Sequence, residues 1–392
     1  MTLDLFEKLK NEYENIVSWR RKMHEHPELS FQETETPRFI AEMLKKFGLT
    51  VREQVGGNGV LGILEGVEEG STIAFRADFD ALPIQDGKDV AYKSKIDGVM
   101  HACGHDGHTS SLLGVAKVLS ENRDVIKGKI IFIFQHAEEK PPGGAKFIIE
   151  DGALDGVDAV FGGHLATELP LGKIATKSGP LMASVDAFTI LIQGKGGHGA
   201  RPHETIDTVA IGCELVGQLQ QIVSRRVNPM EPAVVTVGSF HAGNAFNIIA
   251  DSATLEGTVR TLDGTVRIQI ENEIRSILNG FKASSHIEYK LDYLHGYPVL
   301  VNHKEEAALI EQLVREHVSV DAFVKKNTVL GAEDFAYYLE RKPGAFFYVG
   351  ARNNNVNTQF PHHHPRFDFD ELALLELGKV FLLLANHYLI QK

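Results

Sequence analysis

The sequence has few cysteines and no excess of positive charge. Its 392 residues include two cysteines, Cys103 and Cys213, which excludes a small scaffold held together by disulfides. The 40 Lys and Arg residues are outnumbered by 52 Asp and Glu residues, so the formal net charge is −12. Because a phosphate backbone attracts basic surfaces, this balance disfavours nucleic acid and anionic membranes as partners.

Long hydrophobic runs are also missing. The longest apolar stretches, such as residues 380–385, are far shorter than the roughly 20 residues that a transmembrane helix needs. The first residues, MTLDLFEKLK, have no apolar segment of the kind found in a signal peptide. We therefore expect a cytoplasmic protein that does not bind a membrane.

Short apolar runs alternate with helical patterns over the first 180 residues. Residues 3–20, 36–47 and 109–120 have apolar side chains at helical spacing. The runs that we interpret as buried strands are Val60–Leu64, Thr72–Arg76, Lys129–Phe134 and Asp158–Phe161. Buried strands that alternate with helices predict an α/β domain with a largely parallel sheet.

The middle of the chain has a different pattern. Its predicted order is strand, helix, strand, strand, helix, strand, which is the ferredoxin-like arrangement. The predicted elements are Ala183–Gln193, Ile206–Val223, Ala233–Ser239, Ser252–Thr261, Val266–Phe281 and His286–Leu291. Cys213 lies in the first of these helices, and we interpret it as a small buried core residue.

After this region the chain returns to the first pattern. The predicted elements are helices at 303–317 and 333–341, a strand at 345–350 and a final helix from Asp370. We therefore predict a discontinuous α/β domain, residues 1–180 and 295–392, that is interrupted by a compact domain at residues 181–294.

The segment MHACGHDGHTS contains the first candidate metal ligands. In extended backbone, residues i and i+2 point to the same side, so Cys103 and His105 would face one site together. Cysteine thiolates and histidine nitrogens are zinc ligands. The alternative is a turn rich in glycine and histidine that binds nothing.

Two adjacent carboxylates end the segment IIFIFQHAEE. On extended backbone, neighbours point to opposite sides, so Glu138 and Glu139 would have different roles. One would bind a metal ion, and the other would accept the proton of a water molecule as a general base. The alternative is a solvated loop that follows a strand.

Further polar residues also follow predicted strands. Asp78 and Asp80 come at the end of one apolar run, and His164 follows another. Functional groups of open α/β sheets gather at the carboxyl ends of strands. We therefore expect these residues to occupy the same kind of position as Glu138 and Glu139.

A histidine triplet precedes the last helix. His362, His363 and His364 lie between Pro361 and Pro365, which restrict the backbone around them. The triplet belongs to the same predicted α/β domain as the other candidates. The alternative is an exposed polar loop.

Eight segments in a fixed order carry a resemblance to a known family. They are RADFDALPI, MHACGHDGHT, the adjacent glutamates followed by GGA, GKGGHGARPH, AFNIIAD, GTVRT, GAEDFAYY and H-x-P-R-F-D-F-D-E. Together they resemble the M20 family of metallopeptidases and amidohydrolases, and in particular its subfamily D of aminoacylases, hippurate hydrolases and indole-acetyl-amino-acid hydrolases. The resemblance covers about residues 15–385.

The resemblance implies a catalytic domain with a sheet flanked by helices, and a ferredoxin-like satellite domain used for dimerisation. It also implies two divalent metal ions, usually zinc and sometimes manganese or cobalt. The implied metal ligands are Cys103, His105, Glu139, His164 and His363, and the implied general base is Glu138.

The resemblance also bears on which histidine of the triplet is the metal ligand. The family's histidine ligand lies two residues before a proline, here Pro365, and this implies His363. The sequence departs from the family at His364, where a small polar residue is commoner, and it has a further histidine just before His363. The register of this ligand within the triplet therefore remains open.

Two aspartates would support the metal ligands. Asp80 resembles an aspartate that orients a ligand such as His105, and carboxylates in this role fix ligand geometry and tautomer. Asp78 occupies a position that supplies a histidine ligand in other branches of the family. We interpret Asp78 here as a supporting residue and not as a ligand.

Three residues of the middle region also match family positions. His198 would reach the active site of a neighbouring subunit and stabilise the oxyanion. Asn247 and Arg260 would bind the substrate carboxylate, which suits arginine because its fork can bind both oxygens. The alternatives are a loop histidine at a turn and ordinary surface polar residues near strand ends.

The implied activity is hydrolysis of the amide bond of N-acyl amino acids or small peptides, with Glu138 as general base on a water that bridges the metals. The alternatives are an aminopeptidase, dipeptidase or endopeptidase with the same two-metal site, and a metal-binding scaffold without turnover. The implied assembly is a homodimer or homotetramer formed through the satellite domain.

Overall fold

Two units make up the computed structural model, which describes residues 2–390. The first unit comprises the described residues up to Leu181, Val301–Asn327, and the described residues from Asp334 onward. The second unit comprises Met182–Leu300 and Thr328–Glu333.

The helices and strands of both units are numbered in chain order. Within the described residues, the α-helices are α1 (Thr2–Asn11), α2 (Tyr13–Glu25), α3 (Glu35–Lys46), α4 (His105–Ser120), α5 (Gly144–Glu150), α6 (Thr208–Gln221), α7 (Gly264–Ser285), α8 (Lys304–His317), α9 (Ala336–Leu339) and α10 (Ala373–Ala385). The strands are β1 (Thr50–Val55), β2 (Gly59–Glu65), β3 (Glu68–Asp78), β4 (Lys127–Gln135), β5 (Ala159–Pro170), β6 (Ile174–Thr176), β7 (Gly179–Met182), β8 (Ser184–Gln193), β9 (Gly197–His198), β10 (Ala233–Ala242), β11 (Ile248–Ile249), β12 (Ser252–Thr261), β13 (Glu288–His295), β14 (Leu300–Asn302), β15 (Phe323–Lys325) and β16 (Gly344–Arg352).

An eight-stranded sheet forms the centre of the first unit, in the order β1-β2-β4-β3-β5-β16-β6-β15. The central strands β4, β3, β5 and β16 are parallel, whereas β1 and β2 are antiparallel additions at one edge. Strand β4 is buried over residues 130–135, as expected for a parallel strand in a sheet flanked by helices. The predicted α/β fold with a mainly parallel sheet is confirmed.

Helix α10 belongs to the core of the first unit. Its sequence ALLELGKVFLLLA is buried at every position except Glu376 and Lys379. The window Ala373–Ile390 has a mean hydropathy of 1.4, so by length and composition alone it is apolar enough to cross a membrane. However, 72% of this window is buried inside the protein, as in the core helix of a globular domain.

The second unit contains a four-stranded antiparallel sheet in the order β10-β12-β8-β13. Buried residues alternate along β8, and they join a core with apolar residues of α6 and α7. Along the chain the order is β8-α6-β10-β12-α7-β13, with β9 and β11 as a separate two-residue ladder.

Several local predictions were wrong. The helical pattern at residues 3–20 is divided into α1 and α2, and α5 was not predicted because seven residues contain too few helical periods. Cys213 is exposed on α6 instead of buried, because the helix presents only one face to the core of the second unit.

Candidate metal centre

The candidate centre lies at the carboxyl ends of three parallel strands of the first unit. Asp78 is the last residue of β3, and Glu138 and Glu139 follow the end of β4 by three and four residues. On β5, pairing with β3 ends at Gly162, two residues before His164. Parallel topology therefore brings segments that are distant in sequence to one edge of the sheet.

Cys103 and His105 meet because of a turn, and not because of extended backbone. Gly104 between them has φ 103°, in the left-handed region, and His105 is already the first residue of α4. One ligand atom each from Cys103, His105 and His164 lie within 4.8 Å of one another, with Cys103 Sγ 3.4 Å from His164 Nε2. The prediction of extended backbone here was wrong, but these side chains do converge.

Glu138 and Glu139 also converge, contrary to the expectation that they point to opposite sides. Each places a carboxylate oxygen within 4.8 Å of the other and of a ring nitrogen of His105. The preceding residue, Ala137, has φ 53°, so the alternation of an extended strand does not apply to this loop.

The histidine triplet divides into three different environments. His363, with φ 64°, lies with Cys103 and Glu139 in a group of potential ligands, and its Nε2 is 3.3 Å from Glu139 Oε1. His362 Nε2 donates to the carbonyl of Leu165 at 2.9 Å. His364 stacks on Phe360 and accepts the amide of Arg366.

Hydrogen bonds at Nδ1 orient the ring of His105. Nδ1 is 3.0 Å from Asp80 Oδ1, which leaves Nε2 facing the site. The other oxygen of Asp80 accepts Ser30 Oγ and the amide of Glu139. Burial alone would raise the pKa of Asp80, but these hydrogen bonds and the charge of His105 hold it below its ordinary value.

His108 was not singled out from the sequence, although it lies in the same motif. Its Nε2 accepts the amide of Leu165 at 3.0 Å, so its Nδ1 is the donor to Asp78 at 2.6 Å. The second oxygen of Asp78 accepts Arg76 at 2.6 Å. Both residues are therefore engaged with protein groups, which favours a supporting role, although they lie close to His105. The spacing of three residues from His105 would have indicated a shared helix face if the helix start had been predicted correctly.

Two buried atoms indicate that a cation fits this site. His105 Nε2 and Glu139 Oε1 are buried without a well-aligned hydrogen bond among the described residues; they lie 3.8 Å apart, and His363 Nε2 approaches Glu139 Oε1 at 3.3 Å. A buried polar atom without a partner costs about 1–3 kcal/mol. A divalent cation held by thiolate, imidazole and carboxylate donors would satisfy both atoms, and this donor set is typical of zinc.

The charges around the site also indicate that a cation fits it. Burial lowers the pKa of His105, but the charge of Asp78 and the hydrogen bond and charge of Asp80 raise it to about 10. Burial raises the pKa of the Cys103 thiol well above its ordinary value, and the charges of Glu139 and Glu138 add to this effect. A bound cation would take the place of the proton on His105 and stabilise the thiolate.

The three candidates of the middle region lie in the second unit. His198 and Asn247 are exposed neighbours, because β9 and β11 pair His198 with Ile248 and the amide of Gly199 donates to the Asn247 carbonyl at 2.9 Å. Arg260 is partly buried on β12, and burial lowers the pKa of its guanidinium although Asp186 opposes this.

Comparison with known proteins defines the class. Residues 74–387 match the model of Peptidase family M20/M25/M40, and the chain belongs to this family. The amidohydrolase YhaA of Bacillus subtilis (strain 168) is 50% identical over 368 residues, which cover 94% of this chain and 93% of that protein.

Two further relatives are named for different activities. Thermostable carboxypeptidase 2 of Saccharolobus solfataricus is 42% identical over 96% of both chains. The N-acetyl-L-cysteine deacetylase of Bacillus subtilis is 41% identical over 92% of this chain and 85% of its own length. All of these relatives are hydrolases, so the predicted enzyme class is confirmed.

Solved structures agree with this assignment. A protein from methicillin-resistant Staphylococcus aureus has a TM-score of 0.95 and 40% identity, covering 99% of this chain and 100% of its own. The Bacillus subtilis YXEP protein, described as a dinuclear metal binding peptidase of the M20 family, has a TM-score of 0.83 and 36% identity, covering 96% of this chain and 98% of its own. The expectation of two metal ions is therefore supported.

Proposed function

We propose that this protein is a metal-dependent amidohydrolase that cleaves the amide bond of N-acyl amino acids or small peptides, with Glu138 as general base. The observation that carries the proposal is the convergence of Glu138 with Glu139 and His105. Glu138 is only 7% exposed, so its carboxylate would meet substrate and water in a largely dry environment.

The metal ligands in this proposal have one feature in common: each offers an atom to a group of potential ligands at the sheet edge. They are Cys103, His105, Glu139, His164 and His363. The thiolate and imidazole donors favour zinc, with manganese or cobalt as alternatives. When bound, such ions acidify water and polarise the carbonyl group of the substrate.

The proton path in this proposal uses Glu138. Its carboxylate accepts a proton from the attacking water and later donates it to the leaving amine, so that one residue serves as base and then as acid. Asp80 holds His105 in the tautomer whose Nε2 faces the site. His198 would stabilise the negative charge that develops on the carbonyl oxygen.

Separate substitution of the two glutamates by glutamine tests this assignment. Glu138→Gln should retain the metal content of the wild type and lower kcat by at least about 100-fold, because only the proton carrier is lost. Glu139→Gln is the matched control, and it should lower the metal content measured by elemental analysis. Normal turnover of the Glu138→Gln variant would refute the role of Glu138.

The preferred substrate class can be determined by assaying a panel of substrates. N-acetyl amino acids, hippurate, a dipeptide and a longer peptide separate an amidohydrolase from an aminopeptidase, dipeptidase or endopeptidase. We expect the N-acyl amino acids to be the best substrates, since one relative is named an N-acetyl-L-cysteine deacetylase. A preference for peptides would favour the second candidate function, a peptidase. The relative that is named a carboxypeptidase supports this candidate.

Recognition of the substrate carboxylate is proposed for Asn247 and Arg260. Replacing an N-acetyl amino acid by its carboxamide should raise KM for the wild type. The same replacement should have little effect in an Arg260→Met variant, because the guanidinium that binds both oxygens is gone. An equal rise in KM for the carboxamide in the wild type and in Arg260→Met would exclude Arg260 from this role.

The second unit is proposed as a satellite domain, predicted at residues 181–294, through which the chain forms a homodimer or homotetramer. If His198 acts in a neighbouring subunit, mixing His198→Ala with Glu138→Gln chains should restore activity. Half of randomly mixed dimers are heterodimers with one complete site, so we expect about one quarter of wild-type activity. No recovery after confirmed exchange of chains would exclude action between subunits.

A further inference from the structure

Ala137, which directly precedes Glu138 and Glu139, has a backbone conformation that few residues adopt. Its φ of 53° lies in the left-handed region, which is unfavourable for residues with a Cβ atom. Ala137 is fully buried. The carboxylates of Glu138 and Glu139, which directly follow this left-handed turn, lie close to His105 together. Contacts from other residues must therefore stabilise this turn.

The side chain of Glu33 contacts the turn directly. Glu33 Oε1 accepts the amide N–H of Ala137 at 2.9 Å, and Oε2 accepts Asn58 Nδ2 at 3.2 Å. Glu33 is 1% exposed, so this hydrogen bond is shielded from water. The carbonyl of Ala137 accepts the amide of Gly144 at 3.0 Å, and both backbone polar groups of Ala137 are thus engaged.

The residues just before Glu33 contact the same loop at two further points. Ser30 Oγ donates to Asp80 Oδ2 at 2.6 Å, and this oxygen also accepts the amide of Glu139 at 2.9 Å. The ring of Phe31 packs edge-on against His136, with the ring centroids 5.7 Å apart. Residues 30–33 therefore fix the loop on both sides of Ala137.

We propose that Glu33 is a positioning residue for the general base, and that its hydrogen bond to Ala137 holds the left-handed turn that directs Glu138 into the site. This inference rests on the proposed function, in which Glu138 moves the proton. Without the bond, the backbone at Ala137 relaxes toward negative φ and displaces the Glu138 carboxylate. The ligand Glu139 stays anchored by the bond of its amide to Asp80, and the ligands Cys103 and His164 lie on other segments, so the metal ligands stay in place.

Kinetics of two Glu33 variants provide the first test. Glu33→Ala should lower kcat by about 100-fold, the cost of a misplacement of about 1 Å, while KM changes by less than about threefold. Glu33→Gln keeps an oxygen that can accept the Ala137 amide, and the partly exposed Asn58 can turn its own amide so that its oxygen accepts the new N–H₂ group. The kcat of this variant should therefore stay within about threefold of the wild type. An equal loss in both variants would overturn the proposal.

Substitution of Ala137 provides the second test, because a merely structural role of Glu33 would not respond to it. Glycine adopts positive φ freely, so Ala137→Gly should make the turn less dependent on Glu33. In this background we expect the kcat loss caused by Glu33→Ala to shrink to about tenfold. The same loss in both backgrounds would contradict the proposed mechanism.

Hydrogen exchange supplies a readout that does not depend on activity. In metal-free protein, the peptide covering residues 136–139 should exchange faster in Glu33→Ala than in the wild type, and at the wild-type rate in Glu33→Gln. If Glu33→Ala does not fold, Glu33→Met keeps the side-chain volume without an oxygen acceptor and should behave in the same way. Unchanged exchange in the variant that folds would overturn the inference.

Failure of this inference and failure of the proposed function can be told apart. An inactive Glu138→Gln with a normal Glu33→Ala would leave the general base in place and reject only the positioning role of Glu33. An active Glu138→Gln would reject the general base itself, and the exchange rates would then decide on the turn alone.

Discussion

Asp80 connects three parts of the metal centre through one buried carboxylate. Its two oxygens accept the His105 ring, the Ser30 hydroxyl and the amide of Glu139. The residue is 1% exposed, so water does not compete for these bonds. A carboxylate in this position fixes both the tautomer of one candidate ligand and the backbone of another.

Replacement of this carboxylate by an amide tests its role at the residue scale. In Asp80→Asn one of the two carboxylate oxygens becomes an N–H₂ group, which cannot accept a hydrogen bond. If this group faces His105, the bond that orients the ring is lost. We expect the affinity for zinc to fall by about 10–100-fold, measured by titration against a competing chelator. Ser30→Ala removes only one donor and should have a smaller effect, and an unchanged affinity of Asp80→Asn would contradict this role.

The histidine triplet offers a test with its own controls. His363 lies near Cys103 and Glu139, whereas His362 is bonded to a backbone carbonyl and His364 stacks on Phe360. We therefore expect only His363→Ala to lower the metal content strongly in elemental analysis. A larger loss in His364→Ala would shift the ligand register by one residue.

At the scale of single elements, the start of α4 places two ligand candidates. Gly104 precedes the helix with φ 103°, and this turn separates Cys103 from His105, the first residue of the helix. The nearest atoms to an added Cβ are 3.5 Å away, so the space is sufficient and only the backbone conformation disfavours a side chain. Glycine is therefore required here for its conformational freedom.

A pair of glycine substitutions separates backbone strain from damage to the metal site. Gly104→Ala should lower the free energy of unfolding by about 1–2 kcal/mol and also reduce the affinity for metal. Gly98 has φ 72° with no atom within 4 Å of an added Cβ. Gly98→Ala should therefore cause a similar loss in urea unfolding without a change in metal affinity, and equal affinities in both variants would disprove the link to α4.

At the scale of the whole first unit, a buried ion network joins segments distant in sequence. Arg20 on α2 is fully buried and donates to Asp106 at 2.9 Å and to Asp368 at 2.8 Å. Asp368 also accepts Tyr92 Oη at 2.7 Å. Removing one partner of such a network leaves the other charges buried without compensation, so it is costly.

The pKa of Asp368 leads to a prediction about stability. Burial would raise this pKa, but the charge of Arg20 and the hydrogen bond of Tyr92 hold it below its ordinary value. A carboxyl group with a lowered pKa in the folded state stabilises the protein above its unfolded pKa of about 4, and this contribution is lost as the pH falls further.

Urea unfolding of Asp368→Asn measures this contribution. At pH 7 we expect the variant to be less stable than the wild type by about 2 kcal/mol. The difference should shrink as the pH falls below about 4, because the wild-type carboxylate becomes protonated. Asp97→Asn, at an exposed position, is the control, and a difference for Asp368→Asn that is independent of pH would refute the assignment.

The sequence by itself determined the kind of sheet, the family motifs and the chemical identity of the candidate ligands. Apolar runs such as Lys129–Phe134 are local signals, since a buried strand must be apolar wherever it lies in the fold. The positions of Asp80, Glu138 and His164 after such runs could be predicted for the same reason, because parallel strands end at one edge.

Only the tertiary structure decided how the side chains point. Left-handed turns at Gly104 and Ala137 replaced the extended backbone that the spacing suggested, and they brought Cys103 to His105 and Glu138 to Glu139. Glu33 reaches Ala137 from 104 residues away. Residue type and spacing report local preferences, whereas a turn that is locally unfavourable is held by contacts from distant segments, and these exist only once the chain has folded.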